Sequence, residues 1–179
     1  MSQSTPETLK LVSPTPALED AYLDMCREEI AHDSRLSSVL PTTHEELSPL
    51  LQRWTERERV GGESTGGVPQ SEFWLVRNST EVIGSCRLRH YVAPAPERTW
   101  GGQIDYGIRP SARRQGYGTR LLWLMLEKAR LMGMGEVYVS CRKANIGSVR
   151  VIERNGGILL GEFPRPSDGE PILRYVIKL

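Results

Sequence analysis

One stretch, Gln103-Ile-Asp-Tyr-Gly-Ile-Arg-Pro-Ser-Ala-Arg-Arg-Gln-Gly-Tyr-Gly-Thr-Arg-Leu-Leu-Trp-Leu-Met-Leu126, limits what this chain can fold into more than any other. It reads as a strand, a basic glycine-containing loop and a helix. Ile104, Tyr106 and Ile108 are strand-type residues at alternate positions, and Pro110, which cannot donate to a sheet ladder, stops the strand. Gly116 and Gly118 leave backbone N–H groups uncovered by a side chain. The apolar run Leu121 to Leu126 and the helix formers through Arg130 follow directly. A glycine loop entering a helix gathers unpaired N–H groups at the positive end of the helix dipole, which favours an anion. From Tyr106 to Leu126 there is no acidic residue, whereas Arg109, Arg113, Arg114 and Arg120 are basic. A loop of this kind suits phosphate or pyrophosphate. A basic surface turn before an ordinary helix explains the same residues, and this stretch alone leaves both readings open.

Two phosphate loops do not fit. Gly-x-x-x-x-Gly-Lys-Ser/Thr is absent, which removes the P-loop NTPases. Gly116-x-Gly118 has Leu121 where a dinucleotide fingerprint has its third glycine, and the acid expected some twenty residues on is not evident.

The rest of the chain bounds the class. At 179 residues it is read as one domain, residues 1–179, large enough for a proper core. A net charge of +1, from 23 basic and 22 acidic residues, gives no general case for a nucleic-acid partner. Cys26, Cys86 and Cys141 are far apart, as are His32, His44 and His90, so neither a disulfide framework nor a metal cluster is expected. No signal-like N-terminus and no apolar run near twenty residues is present, so the expectation is a cytoplasmic, reduced protein with no membrane partner.

In chain order, residues 1–8 are polar and expected to be loose. Leu9–Val12 is a first strand, and Thr15-Pro16 opens a helix to about His32. Thr42 and Thr43 each have a glutamate three residues on, a capping-box pattern for a helix ending near Arg59. Gly61–Gly67 is a connection. Phe73–Val76 and Val82 to about Val92 form a hairpin around Asn78–Thr80, and Ala93–Pro96 with Glu97 and Arg98 is a loop that could border a substrate site. After the central segment come a strand at Glu136–Ser140, a helix at Ile146–Arg154, and strands at Ile158–Phe163 and Ile172–Ile177. This predicts a mixed α/β domain with one sheet and helices on both faces.

Arg113-Arg-Gln-Gly-Tyr-Gly118 resembles the Arg/Gln-x-x-Gly-x-Gly/Ala motif of the GNAT family of N-acetyltransferases. Ile108-Arg-Pro110 resembles the end of that family's fourth strand. Asn145-Ile-Gly-Ser148 and Glu153-Arg-Asn-Gly-Gly157 resemble its Asn-x-x-Ser/Ala helix and closing Gly-Phe. Order and spacing agree over residues 70–163. The resemblance implies a mostly antiparallel, splayed central sheet, acetyl-CoA as donor, and direct attack by an amine in a ternary complex. A small-molecule acceptor is favoured over a protein, and a homodimer is possible.

The resemblance also implies roles. Backbone amides of Gln115, Gly116, Tyr117, Gly118 and Thr119 would receive the pyrophosphate. Arg113 and Arg114 would add charge, unless one points to solvent. The strand edge from Tyr106 to Ile108 would pair with the pantetheine arm, and an amide near Ile108 would polarise the thioester carbonyl. Asn145 and Ser148 would meet the pantetheine, or Asn145 would simply cap its helix. The amine, with an ordinary pKa of roughly 10, must lose a proton. Asp105 is the first candidate base and Tyr106 the second, with His90, Glu81 or a water chain as alternatives. Many relatives carry a thiolate-protonating tyrosine where this chain has Ile152, so Tyr138 or water would have to serve. Gly157 stands where phenylalanine is usual. Cys141 reads as a structural thiol rather than a nucleophile. Arg87, Arg89 and His90 either line the acceptor pocket, where the arginines would favour an acidic acceptor, or form an exposed sheet edge. The rival function is a catalytically inactive acyl-CoA-binding sensor.

Overall fold

The computed structural model describes residues 7–60, 68–90, 102–165 and 167–179. Within them the chain runs β1 (Leu9–Val12), α1 (Glu19–His32), α2 (His44–Val60), β2 (Gln70–Arg77), β3 (Glu81–Arg89), β4 (Ile104–Ile108), α3 (Tyr117–Leu131), β5 (Glu136–Arg142), α4 (Ile146–Arg154), β6 (Ile158–Pro164) and β7 (Pro171–Lys178). The Gly61–Gly67 connection, Val92 and the Ala93–Arg98 loop lie outside the described residues, as do residues 1–6.

The strands form two antiparallel sheets rather than the single sheet expected, ordered β1-β2-β3-β4 and β5-β7-β6. The division falls between β4 and β5, which no ladder joins. The β2–β3 hairpin closes through Asn78 and Ser79, at φ 50° and 66°, left-handed at both central positions as a tight hairpin turn requires.

α1 and α2 cover one face of the first sheet. Tyr22 stacks on Trp74 at 4.5 Å and meets Trp54 edge-on at 6.1 Å, within a cluster that includes Leu23, Cys26, Leu47 and Val82. α3 and α4 cover the other side, where Leu121, Leu122, Met125 and Ile152 pack on Leu75, Ile83, Leu88, Ile104, Val137 and Tyr175. Both faces of β2 are therefore buried, and its middle, Phe73 to Val76, is apolar without alternation. A 3-10 turn at Pro16–Leu18 precedes α1. At α2 the Thr43 hydroxyl accepts from the Glu46 N–H, while the Glu46 carboxylate reaches back to the N–H and hydroxyl of Thr42. Both predicted threonines thus share one glutamate.

Candidate active site

The gap between β4 and β5 starts at Gln103. Its N–H donates to Tyr138 O at 2.6 Å, and its side-chain Oε1 accepts from the Tyr138 N–H at 2.9 Å. One glutamine thus supplies both halves of a strand-to-strand rung. Gly102 is required beside it, because a Cβ there would lie 2.5 Å from Tyr138 O. Beyond this root the two sheets part. Nothing local in the sequence marks Gln103 for the task.

β4 lines one wall. The Arg89 N–H donates to Gln103 O, and the Arg109 N–H to Ile83 O. In an antiparallel ladder alternate residues turn both backbone groups to the partner, so Asp105 and Gly107 face β3. Ile104, Tyr106 and Ile108 turn theirs toward the gap. Ile108 O is already taken by Arg113 Nε at 2.7 Å. No atom lies within 4 Å of where a Gly107 Cβ would stand. The Tyr106 hydroxyl is buried and has no well-aligned hydrogen-bond partner. Burial pushes this phenol up to about 12, Ser148 pulls it back, and neighbouring Cys141 adds to the rise.

The loop after β4 is held by α1, some eighty residues earlier. Arg109 is buried and donates to Glu28 at 2.6 Å and Asp24 at 2.9 Å. Glu28 also accepts from the Ser111 N–H at 2.5 Å and hydroxyl at 3.0 Å. Burial raises the Glu28 carboxyl, but the Ser111 and Arg109 hydrogen bonds outweigh it and leave it below its ordinary value. Arg113 spans Ile108 O and Glu29. Arg114, at φ 65°, is exposed and makes no ion pair among the described residues. Gly116, at φ 89°, is the residue just before α3, and no atom lies within 4 Å of its would-be Cβ. The N–H groups of the first turn of α3 therefore open to solvent on one side.

Not every loop residue faces outward. The Tyr117 ring is buried, its hydroxyl donating to Glu7 at 2.6 Å and accepting from Arg77 at 3.2 Å. A Cβ on Gly118 would lie 3.3 Å from Val151 Cγ2, so this glycine serves the close approach of α3 and α4. Asn145 caps α4, its Oδ1 accepting from the Ser148 N–H at 3.1 Å. Ile152 is fully buried. A Cβ on Gly157 would stand 2.4 Å from Ile152 Cγ2, so the two departures from the family pattern touch each other.

The opposite face of the first sheet carries charge. Asp105 pairs with Arg89 at 2.7 Å and turns away from Tyr106. Arg87 donates to Glu72 at 2.5 Å. Burial pushes the Glu72 carboxyl upward, with Arg87 opposing. Both arginines are thus satisfied by carboxylates or, for Arg89, also by Gly102 O at 2.7 Å, so the case for an acidic acceptor loses its cations. A cleft of about 570 Å3 beside α2 is lined instead by Trp54, Glu56, Glu58 and Glu72, among others. Tyr138 points its hydroxyl to Glu136 at 2.7 Å. Burial holds the Cys141 thiol at about 11, consistent with an inert thiol.

Comparisons agree with this geometry. RimL, a ribosomal L7/L12 alpha-N-protein acetyltransferase in complex with coenzyme A, superposes with a TM-score of 0.71 at 18% identity, over 96% of this chain and 94% of its own. RimJ of Mycobacterium smegmatis, in complex with CoA-disulfide, gives 0.70 at 15% identity over 95% and 81%. The microcin self-immunity acetyltransferase MccE, in complex with acetyl-CoA and AMP, gives 0.70 at 11% identity over 96% and 92%. At these identities the likeness concerns the fold. The family model described as an acetyltransferase (GNAT) domain matches residues 8–158, and the chain belongs to the GNAT acetyltransferase family.

Proposed function

We propose that this protein transfers the acetyl group of acetyl-CoA to an amine, by direct attack in a ternary complex. The observation that carries the reading is the backbone edge of Ile104 and Tyr106, with the Ile108 N–H, turned toward a gap that leads to the first turn of α3, the Ile108 carbonyl being held by Arg113. A peptide-like pantetheine arm matches such an edge, since its amides replace the strand that is missing. The pyrophosphate fits the amides of Gln115 to Thr119, with the exposed Arg114 as its counter-charge. Arg113 acts through the backbone by holding Ile108 O. The Asn145 amide nitrogen and the Ser148 hydroxyl complete the wall on the α4 side.

When bound, acetyl-CoA supplies an activated acyl group. The Ile108 amide then polarises the thioester carbonyl, and Tyr106, protonated throughout the neutral range, donates to the departing sulfur. That assignment fills the role left empty at Ile152, and the engaged Tyr138 hydroxyl supports it. The acceptor enters from the α2 side. Glu56 and Glu58, set against Arg59, favour a cation there, since Glu72 is already paired with Arg87, and Trp54 offers a face for one. A small primary amine suits this cleft.

Calorimetric titration with acetyl-CoA, with ATP and NADH as controls, tests the donor half. Selective, saturable binding is expected. A thiol-release screen over primary amines then tests transfer. Binding without turnover on any amine would favour the inactive sensor, and absence of binding by folded protein would remove the donor reading itself.

A further inference from the structure

α4 meets the first turn of α3 along one row of residues. A Cβ on Gly118 would lie 3.3 Å from Val151 Cγ2, and the Asn155 side-chain amide donates to Thr119 O at 3.2 Å. Val151 and Asn155 are four apart, so they stand one above the other on the same side of the helix. Arg150 and Arg154 precede them by one residue each, and one residue is about 100° of helix turn. A row of two arginines therefore runs beside the row that touches α3. The buried Ile152 lies on the opposite flank of that row. The arginines thus stand at the solvent rim of the seam between α3 and α4, where both are exposed.

Neither arginine makes an ion pair or a side-chain hydrogen bond among the described residues. Like charges four apart weaken a helix. The helix dipole gives a reason for Arg154, in the last turn, but none for Arg150. Glu153, the one acid of α4, leans to Tyr175: burial raises that phenol and Glu153 adds to the rise. The other flank of the β4–α3 loop is different. There Arg109 and Arg113 are matched by Asp24, Glu28 and Glu29 of α1. Arg120, in the first turns of α3, lies over the Trp123 ring at 4.2 Å. The unmatched positive charge beside the loop is therefore on the α4 side.

The proposed pyrophosphate site is this same first turn of α3. In coenzyme A the pyrophosphate and the 3′-phosphate sit on one ribose, at its 5′ and 3′ positions. The 3′-phosphate is thus held one sugar away from whatever grips the pyrophosphate. A guanidinium suits it, because its planar fork matches phosphate oxygens in pairs. We infer that Arg150 and Arg154 bind the 3′-phosphate of the donor's nucleotide, and that the protein thereby selects acetyl-CoA over a thioester donor lacking that group. The inference rests on the acetyl-CoA reading above. α4 then serves the donor at both ends, with Asn145 and Ser148 beside the pantetheine and the two arginines beside the nucleotide.

Calorimetric titration with acetyl-CoA and with acetyl-dephospho-CoA, which lacks only the 3′-phosphate, tests this without any acceptor in hand. Wild type should bind acetyl-CoA roughly 10- to 100-fold more tightly, the worth of hydrogen bonds to a charged group. The preference should shrink at high salt, because the arginines are exposed. The double variant Arg150→Gln, Arg154→Gln should bring the two donors within about threefold of each other by weakening acetyl-CoA alone. Each single variant should lose part of the preference, and Arg120→Gln should keep it. An unchanged melting temperature shows that the variants are folded, as substitutions at exposed positions allow. Equal affinity of wild type for the two donors, a full preference in the double variant, or its loss in Arg120→Gln would each overturn the inference and leave the acetyl-CoA reading standing. A folded wild type that binds neither donor would overturn that reading, and this inference with it.

Discussion

Arg114 differs from its neighbour in one respect that decides its use. α1 holds Arg113 through Glu29, while Arg114 stands exposed beside the left-handed glycine. Arg114→Glu should weaken acetyl-CoA roughly 10- to 100-fold, the worth of one charge-assisted hydrogen bond and its reversal. The loss should shrink at high salt, as calorimetry in two buffers would show. Tyr106→Phe removes only a hydroxyl, buried and without a well-aligned hydrogen bond, next to Ser148. It should leave acetyl-CoA affinity unchanged and lower kcat about tenfold or more. Because the phenol sits near 12, no limb of the pH profile between 5 and 9 should disappear with it, which stopped-flow thiol release across that range would check. At this scale the sequence was readable where chemistry follows from residue type and spacing. The glycine loop and its arginines are local, and so is the cap at Asn145. The partners that divide Arg113 from Arg114 lie on α1, and the Ser71 link between Glu58 and His90 joins three parts of the chain, so neither pattern could be seen along the chain.

The connection from α1 to the β4–α3 loop is the element that keeps that loop in place. Glu28 takes hydrogen bonds from Arg109 and from Ser111 twice. Its native pKa is lowered, so its contribution to stability is complete above the ordinary glutamate value of roughly 4.3. That contribution is lost as pH falls through the lowered native value. Glu28→Gln should cost roughly 2 kcal/mol at pH 7 and should flatten the fall in urea midpoint below about pH 4.3. An identical acid slope in the two proteins would show that Glu28 does not link loop to helix. Strand and helix positions themselves were legible, because Leu9–Val12, α4 and the last two strands carry their own periodicity. The split into two sheets was not. It depends on a strand pair that fails to form beyond Gln103, and a missing ladder has no residue signature. Ile152 and Gly157 stood out as departures from the family pattern, and the structure adds that they touch: a side chain at 157 would meet both the Ile152 side chain and its backbone carbonyl.

For the molecule as a whole, the root at Gln103 carries both sheets. Gln103→Leu removes the acceptor for the Tyr138 N–H in a buried place and should cost about 1–3 kcal/mol. It should also weaken acetyl-CoA, since the walls of the gap lose their common origin. Melting curves at increasing acetyl-CoA would check both: the wild type should gain about 2.7 kcal/mol at a hundred times its Kd, and the variant less at the same concentration.

The gap between β4 and β5 gives the donor a second part, that of a temporary eighth strand in an unfinished wall. A protein completed by its own reagent has its lifetime coupled to the supply of that reagent. If acetyl-CoA fills that gap, a low supply would leave the wall open more often and expose more of it to proteases, and a full supply would protect the same chains. The residues that grip the donor are then also the residues that keep the chain intact, so a descendant that lost the chemistry would still be held to them by the need to stay folded.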